Sequence, residues 1–343
     1  MIKKEENPKF LNEYLEYTAT ILNKSKGTVK EYGYDLSHFF KYLRYRYSGD
    51  KIPVGTVNPD NASYPEVIKY IDINKLEYDF IKKIVIEDIH AFLYYLKDGY
   101  NVGPVTIARR ASSIRSFFKY QTKITKKLTE NPTINLETPK IPKKLPVYLN
   151  LDESKRLLEV VENPEFNPKS SDKFIERNTA IITLFLNCGL RLGELIAINI
   201  SDINFIEKKI RIKGKGNKER ELFLNKACSK AINNYLKVRP DDEVEPEHKD
   251  ALFLSERKVR ISRRSVQYIV KAELQKAGIN TDKYSTHKLR HTAATLMYQH
   301  GNVDIRALQK VLGHESIATT EIYTHLNEEQ VKEALESNPL ANL

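Results

Sequence analysis

Five of the chain's eight histidines, His287, His291, His300, His314 and His325, fall in the last sixty residues, so chemistry is to be sought there first. His287 and His291 stand i, i+4 on a helical pattern, the spacing two zinc ligands need. A zincin places a glutamate directly after the first histidine, whereas here Lys288, Leu289 and Arg290 lie between the two. Two cations inside a dication site raise its electrostatic energy, and no carboxylate constellation accompanies them, so the residues argue against a metal. The same cations suit an anion. HKLRH, LGHES and EIYTH gather His287, Arg290, His314 and Tyr323 in one helical region. Phosphoryl transfer asks for charge stabilisation on the equatorial oxygens, an in-line nucleophile and an acid for the leaving group. Arginine supplies paired donors for the first of these. A second arginine, Arg191, follows a helix end at Gly189 in LNCGLRLGELIAI, where glycine permits a left-handed backbone. Lys215 sits in the turn KGKGNK. Taken singly, Arg191 reads as a surface residue after a cap and Lys215 as a solvated turn charge. Their order and spacing along the chain carry more than any one of them.

The elements that must position these residues are mostly helical. Apolar residues recur at helical spacing from Phe10 to Leu22, Val29 to Leu43, Ile86 to Leu96 and Val105 to Tyr120. The last of these carries Arg109, Arg110, Arg115 and Lys119 on a face away from its apolar stripe. The polar stretch Ser48 to Ser63, with Pro53 and Pro59, reads as a long surface loop, and the region 48–75 has no legible role. Four prolines crowd into NPTINLETPKIPKKLP, which cannot be a helix and should run extended as a linker over 131–150. Beyond it, Asp152 to Val161 and Phe174 to Cys188 read as helices. In KKIRIKGKGNKERELFL, alternating Ile210 and Ile212, then Leu222 and Leu224, flank a glycine-rich turn and predict a β-hairpin. Helical patterns follow over Ser262 to Ala277, Thr286 to Gln299, Asp304 to Leu312, Ile317 to Tyr323 and Glu328 to Glu336. The fold class expected is mainly α with a small antiparallel β-sheet, in two domains.

The formal net charge is +11, spread as +6 up to Lys140 and +5 beyond it. A basic chain with no detachable basic tail points to a polyanion met by both halves, nucleic acid first among them. Two cysteines, Cys188 and Cys228, are too few for a disulfide framework and suit a reducing cytoplasm. No apolar stretch reaches the length of a membrane span, and the N-terminus has no signal core, so neither export nor membrane insertion is expected.

Arg191, Lys215, His287 with Arg290, His314 and Tyr323 resemble, residue by residue, the ordered signature of the tyrosine recombinases. The segments GLRLGEL, KGKGNKER, THKLRHTAAT and LGHESIATTEIYTHL are similar to those of the Xer subgroup, as is the nine-residue step from His314 to Tyr323. KGTVKEYGYDLSHFFKYL and TIARRASSIRSFFKYQ resemble the family's helical core-binding domain, so the likeness covers nearly the whole chain outside Ser48 to Lys75. It implies a core DNA-binding domain over 1–130, a linker over 131–150, a catalytic domain over 151–326 and a protomer-coupling tail over 327–343.

The resemblance also implies roles. Tyr323 would attack the scissile phosphate, leaving a 3′-phosphotyrosyl enzyme and a free 5′-hydroxyl, and no cofactor is needed because bond energy is kept for rejoining. Arg191 and Arg290 would clamp the non-bridging oxygens, His314 would donate to the phosphate, His287 would accept the phenolic proton and Lys215 would protonate the 5′-oxygen. Glu194 would orient a neighbouring catalytic side chain, or be an ordinary helix-surface acid. Arg263 and Arg264 would meet DNA from the catalytic domain, and Arg109, Arg110 and Arg115 from the first. The implied partner is double-stranded DNA, held by a homo- or hetero-tetramer on two sites, with a second recombinase or a DNA translocase as further partners. Resolution of chromosome or plasmid dimers is the task expected. An integrase or inversion recombinase of a mobile element, a type IB topoisomerase and a non-catalytic DNA-binding regulator remain open at this point.

Overall fold

The computed structural model describes residues 4–48, 68, 71–140, 147–166, 172–214, 218–242, 244–301, 303–314 and 316–320. The chain divides into two compact units, Met1–Lys143 and Lys144–Leu343. Helices dominate both, and the second holds a three-stranded antiparallel sheet.

The first unit comprises helices α1 (Lys9–Thr20), α2 (Lys26–Ser48), α3 (Tyr78–Lys82), α4 (Ile86–Tyr100) and α5 (Pro104–Lys119). Its core is built from residues three and four apart: Phe10, Leu11, Tyr14 and Leu15 on α1, Leu36, Phe39, Phe40 and Leu43 on α2, with Phe92 and Leu96 on α4 and Ile114, Phe117 and Phe118 on α5. Phe10, Phe40 and Phe117 meet with ring centroids 5.1, 5.3 and 6.0 Å apart. Each such aromatic pair adds about 0.5–1.5 kcal/mol beyond simple area burial. Buried Tyr14, Tyr42 and Tyr95 join the same core.

Three expectations shift here. The first helix ends at Thr20 rather than Leu22, and Ile21 is 71% exposed. The region 48–75 is not surface loop to its end, because Ile68, Ile71 and Ile73 are buried in the core; residues 49–67 lie outside those described. The proline-rich stretch opens with a turn over 132–135, and Leu136 is buried in the first unit. Proline forbids a helix there but not a turn, and an apolar side chain within reach of the core anchors it.

The second unit comprises α6 (Leu151–Glu162), α7 (Asp172–Cys188), α8 (Leu192–Ala197), strands β1 (Ile203–Asn204), β2 (Lys209–Lys213) and β3 (Glu219–Phe223), then α9 (Lys226–Val238), α10 (Arg263–Lys276), α11 (Thr286–Gly301) and α12 (Ile305–Leu312). α7 is central: Ala180, Ile181, Ile182, Leu184 and Phe185 are wholly buried, and α6, α9 and α11 pack around it. The side chains of Asn150, Asn225, Ser262 and Asp304 cap α6, α9, α10 and α12 by accepting backbone N–H bonds, each contributing about 1 kcal/mol. β2 and β3 form the expected hairpin, with Ile210 opposite Leu222 and Ile212 opposite Arg220. Phe223 at its edge is 77% exposed. β1 and α9 are elements that the periodicities above do not include. α9 brings the Cys228 sulfur to 3.7 Å from that of Cys188, both buried and free. Ile317–Thr319 is a single 3-10 turn where a helix to Tyr323 is expected; residues 321–343, including the tail, are outside those described. Among the described residues no helix is long and apolar enough to cross a membrane.

Candidate active site

α7 stops at Gly189, whose φ is +58°, and an added Cβ there would lie 2.8 Å from Leu312 Cδ2. Only glycine satisfies both the left-handed backbone and the close approach of α12. The turn delivers Arg191 as the residue before α8, with Glu194 three positions on. That spacing lets Glu194 Oε2 accept the Arg191 backbone N–H at 2.9 Å, closing the first turn of α8.

Glu194 is only 5% exposed and gathers three guanidinium groups. Arg191 Nη1 donates to its Oε1 at 2.8 Å. Arg220, from β3, donates through Nη1 and Nη2 to Oε1 and Oε2, both at 2.9 Å. Arg290, from α11, has Nη1 3.9 Å from Oε2. Burial pushes the Glu194 carboxyl up, but the hydrogen bonds from Arg220 and Arg191 outweigh it and bring its pKa to about 2. Three guanidiniums against one carboxylate leave an excess of positive charge, of which Arg191 is the most exposed carrier.

The backbone at the ends of α7 and α12 takes further donors. Arg290 Nη1 donates to Gly189 O at 2.6 Å and Nη2 to Leu312 O at 2.7 Å. Arg191 Nη2 donates to Gly313 O at 3.0 Å, and Arg220 Nε to Val311 O at 3.1 Å. Gly313 closes α12 in a left-handed conformation and His314 follows it. The His314 Nδ1 stands 2.9 Å from the hydroxyl of fully buried Thr320. Burial, then Arg290, Arg191 and Arg220, lower the His314 pKa to about 4. Burial and Arg290 also lower that of His287, one turn before Arg290 on α11. Both imidazoles are therefore neutral at neutral pH. A cleft of about 760 Å³ opens on Arg191, Arg220, Gly313 and His314, with Lys218, Arg306 and Lys310 around it. The arrangement can bind and neutralise a phosphodiester.

Of the residues singled out in the sequence, Arg191, Glu194, His287, Arg290 and His314 come together. Lys215 and Tyr323 lie outside the described residues. Arg263 and Arg264 are exposed at the start of α10, and the Arg263 guanidinium lies over Gly193 of α8. In the first unit, Arg109 grips buried Asp35 with both Nη atoms at 2.5 and 2.8 Å. Arg110 Nη1 is 2.7 Å from His38 Nδ1, and Arg115 donates to Leu136 O. Arg109 and Arg110 thus tie α5 to α2, and Arg115 ties it to the segment that follows the turn at 132–135. Arg220 and Thr320 are the site residues that sequence reasoning missed. A signal for Arg220 exists: it shares the inward phase of β3 with Leu222, and a cation facing inward needs a carboxylate.

Residues 148–330 match the phage integrase family, and the chain belongs to that family of tyrosine recombinases. Its relatives include tyrosine recombinase XerC of Caldanaerobacter subterraneus subsp. tengcongensis, 46% identical over 334 residues, which are 97% of this chain and 88% of the relative. Tyrosine recombinase XerD of Oceanobacillus iheyensis is 34% identical over 306 residues, 89% of this chain and 97% of the relative. Among solved structures, the XerH site-specific recombinase bound to difH substrate in a pre-cleavage complex is similar at 25% identity and a TM-score of 0.63, over 97% of both chains.

Proposed function

We propose that this chain is a Xer-type site-specific recombinase that cuts and rejoins DNA through a tyrosyl phosphodiester, resolving chromosome or plasmid dimers in the cytoplasm. The observation that carries this reading is the convergence of Arg191, Arg290 and His314 beside one buried carboxylate in a chain similar to XerC along nearly its whole length. Tyr323 Oη attacks the scissile phosphorus, a P–O(Tyr) bond forms and the P–O5′ bond breaks. The phenolic proton passes to neutral His287, and Lys215 protonates the departing 5′-oxygen. Arg191, Arg290 and His314 hold the non-bridging oxygens as charge builds on them. Attack by the 5′-hydroxyl of a partner strand reverses each bond change, so rejoining consumes no nucleotide.

Exposed Arg263 and Arg264 are suited to DNA phosphates, and Arg109, 42% exposed, keeps surface for the same purpose in the first unit. Four protomers on two DNA sites, of this chain alone or with a second recombinase, complete the reading, with a DNA translocase as a further partner.

The test is covalent trapping. Wild-type protein incubated with fragmented genomic DNA should yield a denaturation-resistant adduct, and Tyr323→Phe should bind the captured site equally while forming none. An adduct surviving in Tyr323→Phe would move the nucleophile elsewhere. Sequencing the trapped DNA separates a single chromosomal site from the ends of a mobile element.

A further inference from the structure

Arg220 has no part in the chemistry above, yet it makes the most complete contact with Glu194. A carboxylate offers about four lone-pair positions. Arg191 N–H, Arg191 Nη1, Arg220 Nη1 and Arg220 Nη2 supply four donors. Arg220 thus takes the fork-to-fork position that Arg191, three residues from Glu194, would otherwise be free to adopt. Arg191 keeps a single side-chain contact with the carboxylate. Its other Nη donors go to Leu312 O and Gly313 O. Among the described residues its Nε and one Nη2 hydrogen meet no acceptor, and the side chain is 39% exposed. Arg220 itself is 15% exposed and lies flat on the turn before His314, where a Cβ on Gly313 would come within 2.9 Å of its Nη1.

We propose that Arg220 is a positioning residue for DNA cleavage: it saturates Glu194, so that Arg191 presents its remaining N–H donors to the scissile phosphate instead of folding back onto the carboxylate. The proposal rests on the recombinase reading. It also binds strand β3 to the turn that carries His314, so two phosphate-facing groups share one support.

The experiment measures single-turnover adduct formation and DNA affinity on a nicked duplex carrying the site trapped by the wild-type protein. Arg220→Met, Arg220→Lys, Glu194→Gln and the Arg220→Met/Glu194→Gln double variant are compared, with melting temperatures for each. Arg220→Met should slow adduct formation about 10- to 100-fold, the range typical of groups that orient a ligand-binding side chain, with little change in affinity. Arg220→Lys, a single point charge, should fall between Arg220→Met and wild type. If Arg220 acts through Glu194, the double variant is no slower than the slower single one. Wild-type cleavage in Arg220→Met, multiplication of the two single effects, loss of affinity equal to loss of rate, or failure of both Arg220 variants to fold would each overturn the proposal. Wild-type protein that forms no adduct, or Tyr323→Phe that forms one, would instead sink the recombinase reading.

Discussion

His314 is a neutral imidazole at physiological pH, so it has one N–H to offer, and the partner at Nδ1 decides which nitrogen carries it. If the buried Thr320 hydroxyl donates to Nδ1, the proton sits on Nε2, and it is that nitrogen which acts as the donor. Thr320→Val keeps the shape and deletes that donor. It should slow adduct formation by about tenfold or more, short of the 10²–10³ seen when such a donor is removed outright, while Thr320→Ser stays near wild type. Equal rates in Val and Ser variants would show that Thr320 does not choose the tautomer. Glu194 follows the opposite logic. Held at about 2, its carboxyl stays ionised at any pH the enzyme meets, so its contact with Arg191 does not switch.

At the level of elements, the junction of α7 and α8 is the most constrained piece of backbone near the site. Gly189→Ala adds a left-handed alanine and a methyl group 2.8 Å from a Leu312 carbon. A loss of about 1–3 kcal/mol in unfolding free energy is expected, and an unchanged denaturant midpoint would mean that α12 yields freely. The same junction shows what was legible beforehand. Gly189 announces a left-handed turn by its residue type, and long helices such as α2, α4 and α7 announce themselves by apolar spacing. α9 carries Cys228, Ala231, Ile232 and Tyr235 at helical spacing behind an Asn225 cap, but two small residues make a faint stripe. β1 has two residues, too few for an alternation to register. The arginines of α5 show the converse limit: a row of cations does not reveal that two of them also grip Asp35 and His38, because those partners are chosen by tertiary packing.

Across the whole molecule, acid should act on both units through histidine. Burial, followed by nearby Arg110 and Lys41, holds His38 in the first unit to about 4. Burial and neighbouring cations do the same to His291 and His314 in the second. The unfolded chain binds these protons near the ordinary value of 6.5 while the folded chain refuses them until about 4. Folding stability is thus insensitive to these groups above 6.5 and declines as pH falls through that window. Glu194 adds to the fall only toward its acid end, since the advantage of its carboxyl is lost as pH drops from the ordinary value of 4.5 to about 2. Melting temperature should fall steadily from pH 6.5 to 4.5, and His291→Gln should flatten the fall; a level profile would contradict the buried, neutral state of these rings. The tyrosines that fill the first unit's core have an optical consequence. Fourteen of the chain's 20 tyrosines belong to that unit, and the chain has no tryptophan. Its ultraviolet emission therefore comes from phenols and is weighted toward one unit. Phe223→Trp, on the exposed edge of the strand that carries Arg220, would install a lone indole that can be excited at wavelengths where tyrosine is dark, and its colour would report what covers that strand when DNA arrives.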